Sequence, residues 1–284
     1  QLFHELGFKA PKYAHIAPIM KNDNGNKRKL SKRKDPEAAV NYYKEEGIPV
    51  NAVKEYLLNI ANSNFENWRR ANPDKSINEF DFQLNKMSVS GALFDMVKLL
   101  DIGKTVISKM TAEEVYENSL KWAKEYDKEL EEMLNDKEFS LKVLGIERGN
   151  KKPRKDISKW SDVKNSIIYM YDNKFEPESY EYAKINNKEE VKKILELYLA
   201  EYFDIDDDKD TWFNKIKDLA EKVGYAREVK EYKANPENYP GHVGDISTVI
   251  RVSLTGRQNT PDMYEIMQVI GKDSVQKRLE KAIR

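Results

Sequence analysis

The chain has 284 residues, of which 49 are lysine or arginine and 49 are aspartate or glutamate, so its formal charge is zero and no whole-molecule field attracts nucleic acid. It has no cysteine, which excludes disulfides, thiolate zinc sites and cysteine nucleophiles and suits a reducing compartment. No stretch approaches the roughly 18 apolar residues of a membrane-spanning helix, so we expect a soluble protein of the cytoplasm. Any site for an anion must be local.

The first predicted element is the end of a helix. In "QLFHELGF" the apolar residues recur at helical spacing and Gly7 closes the pattern. Because this helix lacks a start and the first residue is Gln1, we expect the chain to begin inside a longer protein. The best strand candidate is "YAHIAPIM" at 13–20, which Pro18 restricts to an edge or a short piece.

A dense cluster of cations follows a turn-prone, mobile lead-in, "NDNG" at 22–25. The segment "NKRKLSKRKDP" at 26–36 has six cations within the eight residues 27–34. Asp35 is a good helix N-cap and Pro36 suits the first helical position. We therefore expect the cations to occupy a loop that is delivered by the start of a helix.

Two lysines of this segment have a spacing that suits a polyphosphate. Lys29 and Lys32 lie three residues apart with Ser31 between them. Ammonium groups act as compact point charges toward phosphate, and backbone N–H groups add donors. The pattern taken alone still favours a basic patch or a localisation signal over a catalytic loop.

The rest of the chain predicts helices almost throughout, so the expected fold class is mainly α. Thr111 and Glu114 form a capping-box pattern ahead of one long amphipathic helix, a second helix begins near Asn187, and a third begins at Asp210 and ends before Gly224. Their apolar faces are formed by Tyr116, Leu120, Ala123, Tyr126, Leu130 and Met133 in the first, by Val191, Ile194, Tyr198 and Tyr202 in the second, and by Trp212, Ile216, Leu219 and Val223 in the third.

Three other patterns fail as binding sites. The segment "DIDDDKDTWFNK" at 204–215 begins like a calcium loop, but Lys209 replaces the turn glycine and Lys215 the closing glutamate, so a solvated acidic loop is favoured. The segment "RGNKKPRK" at 148–155 is more typical of a solvated connection than of an RNA contact. The histidines have no paired ligand spacing, and we expect no metal site; they are His4, His15 and His242.

The segment "KLSKR" at 29–33, called the KLSKR loop below, resembles the second signature of class I aminoacyl-tRNA synthetases. That signature has the general form KMSKS, and in the glutamyl branch it usually ends in arginine, as Arg33 does here. The resemblance to bacterial-type glutamyl-tRNA synthetases covers essentially the whole chain, although the polar insert around 62–76 is longer than their pattern. The matching stretches are "FKAPKYAHIAPIM", "YYKEEGIPVNAVKEYLLNIA", "SGALFDMVKLLDIGK" and "IRVSLTGRQNTPDMYEIMQVIGKDSVQKRLEKAI".

The resemblance implies the C-terminal portion of such an enzyme, because the chain has no HIGH-like tetrapeptide and no glycine-rich strand-to-helix turn. It implies three parts. Residues 1–105 form the end of the catalytic region and a connecting stem-contact domain with the KLSKR loop, and residues 106–185 and 186–284 form two helical anticodon-binding subdomains. Since the HIGH-containing domain is missing, we expect the chain alone to be inactive.

The resemblance also implies the reaction. The full-length enzyme activates glutamate with ATP, which enters with Mg²⁺, and then esterifies the terminal adenosine of tRNA(Glu). Whether tRNA(Gln) is also an acceptor is left open, and we expect a monomer. The residues implied to bind ATP are Lys29, Leu30, Ser31, Lys32 and Arg33, with Lys32 as the main catalytic cation and Lys29 as its support.

Anticodon contacts in this family come from the first arginine of the C-terminal signature and from the threonine-proline turn with the side chains just after it. The matching positions are Arg251, Thr260, Pro261, Met263 and Tyr264, and Arg148 is a further candidate for the third anticodon base. The pattern alone favours another interpretation, in which the threonine-proline turn only caps a helix. The core of that helix would be Met263, Ile266, Met267 and Ile270.

Two functions of other classes remain open. A helical scaffold for protein interaction explains the amphipathic helices but gives no reason for KLSKR beside the other signatures. A free-standing tRNA-binding module explains the C-terminal half and leaves the ATP loop without a role.

Overall fold

The computed structural model describes residues 1–13, 15–88, 90–177 and 179–284. Helices dominate these ranges, which confirms the mainly α fold class, and the sheet they contain is a two-stranded hairpin. None of the described helices is both long and apolar enough to cross a membrane. The chain divides into two compact units, Gln1–Ile107 with Ile157–Trp160, and Ser108–Asp156 with Ser161–Arg284. The finer division into three parts stays a prediction.

The first unit combines the hairpin with short helices. Its elements in the described ranges are α1 (Leu2–Glu5), β1 (Met20–Asp23), β2 (Asn26–Lys29), α2 (Val40–Glu45), α3 (Val50–Ala61), α4 (Phe65–Ala71) and α5 (Met96–Ser108), with 3-10 turns at Pro36–Ala38, Ile77–Glu79 and Leu84–Lys86. The predicted closure of the first helix is confirmed, because Gly7 follows α1 in a left-handed conformation with a φ of 70°.

The strand prediction for 13–20 is wrong except at its last residue. Of that stretch only Met20 belongs to a strand among the described residues, and Ala14 lies outside them. Met20 finds partners on both sides of β1, because its N–H also donates to the carbonyl of Ala92 at 2.8 Å and its own carbonyl accepts the N–H of Phe94 at 2.7 Å. The segment before α5 thereby holds the hairpin.

The predicted turn at 22–25 is the turn of this hairpin. Asp23 pairs with Asn26, and the two residues between them, Asn24 and Gly25, have φ values of 51° and 86°. Two positive φ values are typical of a type I′ turn, whose twist suits a two-residue hairpin loop.

The first unit has a small core around α3 and α5. Gly91 comes so close to the hairpin that a β-carbon there would lie 2.5 Å from the carbonyl oxygen of Pro18, which favours glycine. Asp95 then starts α5 by accepting the N–H of Lys98 at 3.1 Å, while its own N–H donates to the hydroxyl of Tyr56 at 2.6 Å. The core residues of this unit include Ile48, Ala52, Tyr56 and Leu99.

The polar insert around 62–76 is organised by one arginine. Arg69 donates to the carbonyl of Asn72 at 3.1 Å and to that of Lys75 at 2.7 Å, and also to the carboxylate of Glu55 at 2.7 Å. Neighbouring aromatic rings pack at 5.0–5.8 Å between centroids; they belong to Phe65, Trp68 and Phe80.

The second unit is a larger helical assembly around α13. Its elements in the described ranges are α6 (Ala112–Tyr126), α7 (Lys128–Met133), α8 (Lys137–Gly145), α9 (Val163–Ile167), α10 (Lys188–Leu197) with a π-helical turn at Tyr198–Tyr202, α11 (Lys209–Lys222), α12 (Val229–Ala234), α13 (Val243–Thr255), α14 (Met263–Ile270) and α15 (Lys272–Ile283). Fully buried side chains at its centre include Ile194, Leu195, Ile216, Leu219, Val249 and Ile250.

The long helix predicted after Thr111 is two helices. The capping box itself is confirmed, because Thr111 accepts the N–H of Glu114 at 3.1 Å and Glu114 accepts that of Thr111 at 2.8 Å. Asp127 ends α6 in an extended conformation, and its side chain accepts the N–H of Leu130 at 3.0 Å to begin α7. The apolar spacing does not reveal this break, because aspartate competes for backbone N–H groups locally.

The second and third predicted helices are confirmed. Asn187 caps α10 by accepting the N–H of Glu189 at 3.0 Å. The helix α11 begins one residue before the predicted Asp210, because Asp208 accepts the N–H of Thr211 at 2.8 Å.

The acidic loop before α11 carries its own counter-ion. The ammonium of Lys215, at the position where a calcium loop has its closing glutamate, lies 2.6 Å from Oδ2 of Asp207. A protein cation thus neutralises this carboxylate.

A buried arginine fastens the last helix. Arg278 is 2% exposed and donates to Oδ1 of Asp172 at 2.7 Å, to the carbonyl of Tyr169 at 2.8 Å and to that of Leu254 at 2.9 Å. Its guanidinium also lies 4.2 Å from the ring centroid of Phe175. The helix α15 is therefore tied to α13 and to the segment after α9.

Candidate functional site

The cation cluster begins on a strand, which corrects the prediction of a loop throughout. Residues 27–29 belong to β2, because the pairing set by the hairpin turn extends as far as residue 29. Only the following residues form a turn, in which the carbonyl of Ser31 accepts the N–H of Lys34 at 3.0 Å and of Asp35 at 2.8 Å.

Asp35 is not the predicted side-chain cap. Its side chain is 1% exposed and makes no capping hydrogen bond to the 3-10 turn that follows. Arg28 instead donates to both of its oxygens, from Nη1 to Oδ2 at 2.6 Å and from Nη2 to Oδ1 at 2.8 Å. The N–H of Ser31 donates to Oδ2 at 2.8 Å, and Nζ of Lys21 lies 3.1 Å from Oδ1. A buried carboxylate needs such partners, and they leave it no capacity for a cap.

The electrostatics of Asp35 follow from these contacts. The hydrogen bond from Arg28 holds the pKa of its carboxyl well below the ordinary value, although desolvation acts in the opposite direction. The N–H of Ser31 and the ammonium of Lys21 lower the pKa further. Asp35 is therefore ionised at neutral pH.

The other cations of the cluster are exposed. Within the ranges that the structure describes, their side chains make no hydrogen bond or ion pair. Like charges at this density repel one another and are offset best by an anion of high charge. These cations are Lys27, Lys29, Lys32, Arg33 and Lys34.

Two of the five residues implied to bind ATP shape the loop. The N–H of Leu30 donates to the carbonyl of Ile19 at 2.9 Å, and the N–H of Ser31 donates to Asp35. Both residues are half-buried. The charge of the loop comes from the side chains of its other members, Lys29, Lys32 and Arg33.

Arg251, in the second unit, has unused donor capacity on α13. It is half-buried, its Nε is buried without a hydrogen-bond partner among the described residues, and its Nη1 lies 3.5 Å from the carbonyl oxygen of Gln258. Burial lowers the pKa of Arg251. A guanidinium in this state can still donate to an acceptor from outside, such as the edge of a base.

The threonine-proline turn lies near the start of α14. Thr260 is buried, and its carbonyl accepts Nη1 of Arg154 at 2.9 Å. Pro261 and Tyr264 are half-buried, and the Tyr264 hydroxyl donates to the carbonyl of Asp207 at 2.9 Å. The exposed parts of Pro261 and Tyr264 are therefore available to a ligand at this turn.

The first turn of α14 also contributes to the core. Met263 is 3% exposed, and Ile266 and Met267 are buried, as the interpretation of a capped core helix expects. The cap is nevertheless Asp262, which accepts the N–H of Glu265 at 3.1 Å. Met263 is thus part of the packing of this turn, and its contact with the anticodon stays a prediction.

Arg148 is engaged within the second unit. Its Nε donates to the carbonyl of Leu144 at 2.6 Å and its Nη1 to that of Met110 at 3.3 Å. Burial lowers the pKa of Arg148. Arg148 thus satisfies the carbonyl of Leu144 at the C-terminal end of α8 and the carbonyl of Met110 just before α6.

Arg154 joins the surface around Arg251, although the pattern of its segment indicated a solvated connection. It donates to Asp156 from Nε at 2.5 Å and from Nη2 at 3.2 Å, besides its bond to Thr260. After desolvation, its positive charge is one of the effects that lower the pKa of Arg251. Arg154 belongs to the basic run at 148–155, so that run was the feature of the sequence that could have indicated this surface.

Curated glutamate–tRNA ligases are similar to this chain along its length. The sequence is 50% identical to the enzyme of Clostridium perfringens strain SM101 over 99% of the chain, and 49% identical to that of Acetivibrio thermocellus over 100% of the chain. These alignments cover 51% and 52% of the two relatives. The chain thus spans about half the length of the curated relatives it matches.

A family match and a solved structure agree with these relatives. Residues 238–283 match the anticodon binding domain family. A crystal structure of a glutamate tRNA ligase from Elizabethkingia meningosepticum, in complex with its amino acid, has a TM-score of 0.65 and covers 99% of this chain and 53% of its own. Its sequence identity is 22%, so this likeness shows the fold alone.

Proposed function

Because the chain is similar to glutamate–tRNA ligases along its whole length and corresponds to about half of theirs, we propose that it is the C-terminal part of an enzyme that attaches glutamate to tRNA in an ATP-dependent, two-step reaction. One observation of the structure carries this proposal beyond the comparisons. The KLSKR loop presents exposed cations that lack partners in the described chain, on a turn held by a buried carboxylate.

In the first step a carboxylate oxygen of glutamate attacks the α-phosphorus of ATP, and the bond to the bridging oxygen breaks. Pyrophosphate leaves with the electron pair, so negative charge grows on it in the transition state. Lys32 offsets this charge, with Lys29 and Arg33 beside it. Mg²⁺ enters with the ATP phosphates, as is usual for enzymes that use ATP.

In the second step a hydroxyl of the terminal adenosine attacks the activated carbonyl carbon and AMP leaves. The second unit serves this step by binding the anticodon of tRNA(Glu), and tRNA(Gln) stays open as a second acceptor. Arg251 donates to a base of the anticodon. The turn at Thr260, Pro261 and Tyr264 forms the surface that the base contacts. Met263 supports that turn. The enzyme acts as a monomer in the cytoplasm.

Replacing Lys32 separates catalysis from binding. Lys32→Ala in the full-length ligase should lower the rate of ATP–pyrophosphate exchange roughly 10²–10³-fold, because a contact made mainly in the transition state is lost. Its affinity for tRNA should change far less. The chain of 284 residues by itself should stay at background with ATP, glutamate and tRNA, because most contacts that align the reacting groups are missing.

Lys27→Ala is the matched control for this experiment. Lys27, like Lys32, is exposed and unpaired among the described residues, but it lies outside the KLSKR loop, so exchange should change less than about 3-fold. Equal losses of exchange and tRNA affinity in Lys32→Ala would identify a plain RNA-binding patch. Clear turnover by the isolated chain would also contradict the proposed function.

A further inference from the structure

The carboxylate of Asp35 closes the turn that carries the catalytic candidate Lys32. Two hydrogen bonds join Asp35 to Ser31: the N–H of Ser31 donates to the side chain at 2.8 Å, and the N–H of Asp35 donates to the carbonyl of Ser31 at 2.8 Å. The three cations between them, residues 32–34, therefore sit on a ring that is fixed at both ends. Without these bonds, a polar turn of this length would sample many conformations.

Asp35 also ties this turn to the hairpin. Arg28 on β2 donates to both of its oxygens and, through Nε, to Oδ2 of Asp23 on β1 at 2.7 Å. Lys21 on β1 lies 3.1 Å from Asp35 and also bonds to Glu37. One carboxylate thus connects both strands with the turn. Lys29, at the end of β2, is held in the same frame as Lys32.

The same contacts sort the cations into two groups. Arg28 is neutralised by Asp35 and Asp23, and Lys21 by Asp35 and Glu37. The five exposed cations of 27–34 have no such partner in the described chain. The side chain of Asp35 is 1% exposed, so its carboxylate has lost most of its hydration. These contacts have to offset the free-energy cost of that loss. A plain solvated basic patch does not require such a group.

We propose that Asp35 is a positioning residue for glutamate activation: it fixes the turn bearing Lys32 and Arg33 relative to the strand end bearing Lys29, so that the leaving pyrophosphate meets cations that are already ordered. This inference rests on the proposed function. Asp35 does not touch the reacting atoms and acts through Lys32. Preorganised charges stabilise a transition state more than charges that must be ordered during the reaction.

Asp35→Asn in the full-length ligase tests this role, because asparagine keeps the shape and loses the charge. Its amide cannot accept the full set of donors from Arg28, Lys21 and Ser31. We expect kcat for ATP–pyrophosphate exchange to fall about 10–100-fold, while KM for glutamate and the affinity for tRNA change less than about 3-fold.

Glu37→Gln is the matched control. Glu37 lies two residues further on and shares Lys21, but none of its hydrogen bonds involves Arg28 or Ser31. This variant should keep exchange within about 3-fold of the parent. Equal effects of Asp35→Asn and Glu37→Gln would overturn the inference, because the loss would then follow from any missing acid near Lys21.

The double variant Asp35→Asn with Lys32→Ala shows whether Asp35 acts through Lys32. If it does, Asp35→Asn should lower the exchange rate less than about 3-fold in the background of Lys32→Ala. Rate losses of the two single variants that multiply in the double variant would overturn the inference.

If Asp35→Asn does not fold, Arg28→Gln decides instead, because it removes the guanidinium and leaves the bond to Ser31. Unchanged exchange in that variant would contradict the role of Asp35. A parent enzyme at background would refute the proposed function, and this inference with it.

Discussion

Two sets of cations, one in each compact unit, are held in opposite ways. In the first unit, five cations of the segment 27–34 are exposed and lack partners among the described residues, and one buried carboxylate orders the turn that carries them. In the second unit, Arg148 and Arg278 direct their guanidinium groups to backbone carbonyls, and Arg148 is half-buried while Arg278 is buried. Arg251 lies between these extremes, because its Nε has no hydrogen-bond partner among the described residues and its contact with the carbonyl of Gln258 is long, at 3.5 Å.

The role of a cation in a sequence motif therefore depends on its partners as well as on its position. The ammonium group of an exposed lysine is available to an anionic ligand. Replacing such a lysine costs the protein little stability. A buried arginine that donates to carbonyls serves the fold, and its loss leaves acceptors unsatisfied. Substitutions can therefore separate the two kinds of charge by what they change.

The largest expected effect on stability is that of Arg278→Met. The variant leaves the carbonyls of Tyr169 and Leu254 without their donor and removes the cation beside Asp172. We expect the free energy of unfolding to fall by about 3 kcal/mol, at the lower end for a broken buried pair. The loss is limited because the side chain of Asp172 is 44% exposed and water can solvate it. Denaturant unfolding of the chain measures this change.

Lys281→Met is the control on the same helix. Lys281 is exposed on α15, so its replacement should stay within about 0.5 kcal/mol of the parent. If Arg278→Met were as stable as this control, the buried arginine would not hold α15, and the contrast between the two units would lose its main support.

The intermediate position of Arg251 predicts an effect on recognition. Arg251→Ala should reduce the preference for the cognate anticodon by about 1–3 kcal/mol, because a guanidinium donor to a base edge is lost. Its thermal stability should change little, since Nε has no partner to lose in the part of the chain that the structure describes, and the bond to Gln258 is long. Titration against cognate tRNA and tRNA with an altered anticodon measures the preference.

Arg148→Ala provides the comparison for Arg251. Its guanidinium donates to the carbonyls of Leu144 and Met110, so we expect lower thermal stability and an unchanged anticodon preference. An Arg251→Ala variant that folds and still prefers the cognate anticodon as strongly as the parent would contradict the assignment. A lost preference in Arg148→Ala would move the base-reading role to that residue.

Local signals predicted much of the helical fold. The capping pattern at Thr111 and the cap at Asn187 were readable because each depends on a few neighbouring residues. The hairpin was missed although Asn24 and Gly25 are a strong two-residue turn signal, because its strands carry "MKND" and "NKRK", which have little apolar alternation. Its pairing depends on Met20 and the distant segment around Ala92.

The position of the cation motif was predictable, and its physical support was not. The sequence placed Asp35 beside proline, where a helix cap is common. Only the folded hairpin brings Arg28 and Lys21 to the same carboxylate and buries it. In the second unit, the partners of Arg278 lie more than 20 residues away along the chain, so no local pattern distinguishes it from an exposed arginine.

The smallest expected effect compares two adjacent cations of β2. Side chains alternate along a strand, and here Arg28 is half-buried against Asp35 while Lys27 is exposed and unpaired in the described chain. Lys27→Gln should therefore change the free energy of unfolding by less than about 0.5 kcal/mol, as surface substitutions usually do. Arg28→Gln should lower the melting temperature, because Asp35 then keeps its burial and loses its principal partner. Thermal unfolding of both variants at neutral pH measures the difference. Equal melting temperatures would mean that the contact between Arg28 and Asp35 does not order the hairpin, and Arg28 would then contribute no more to stability than the exposed Lys27.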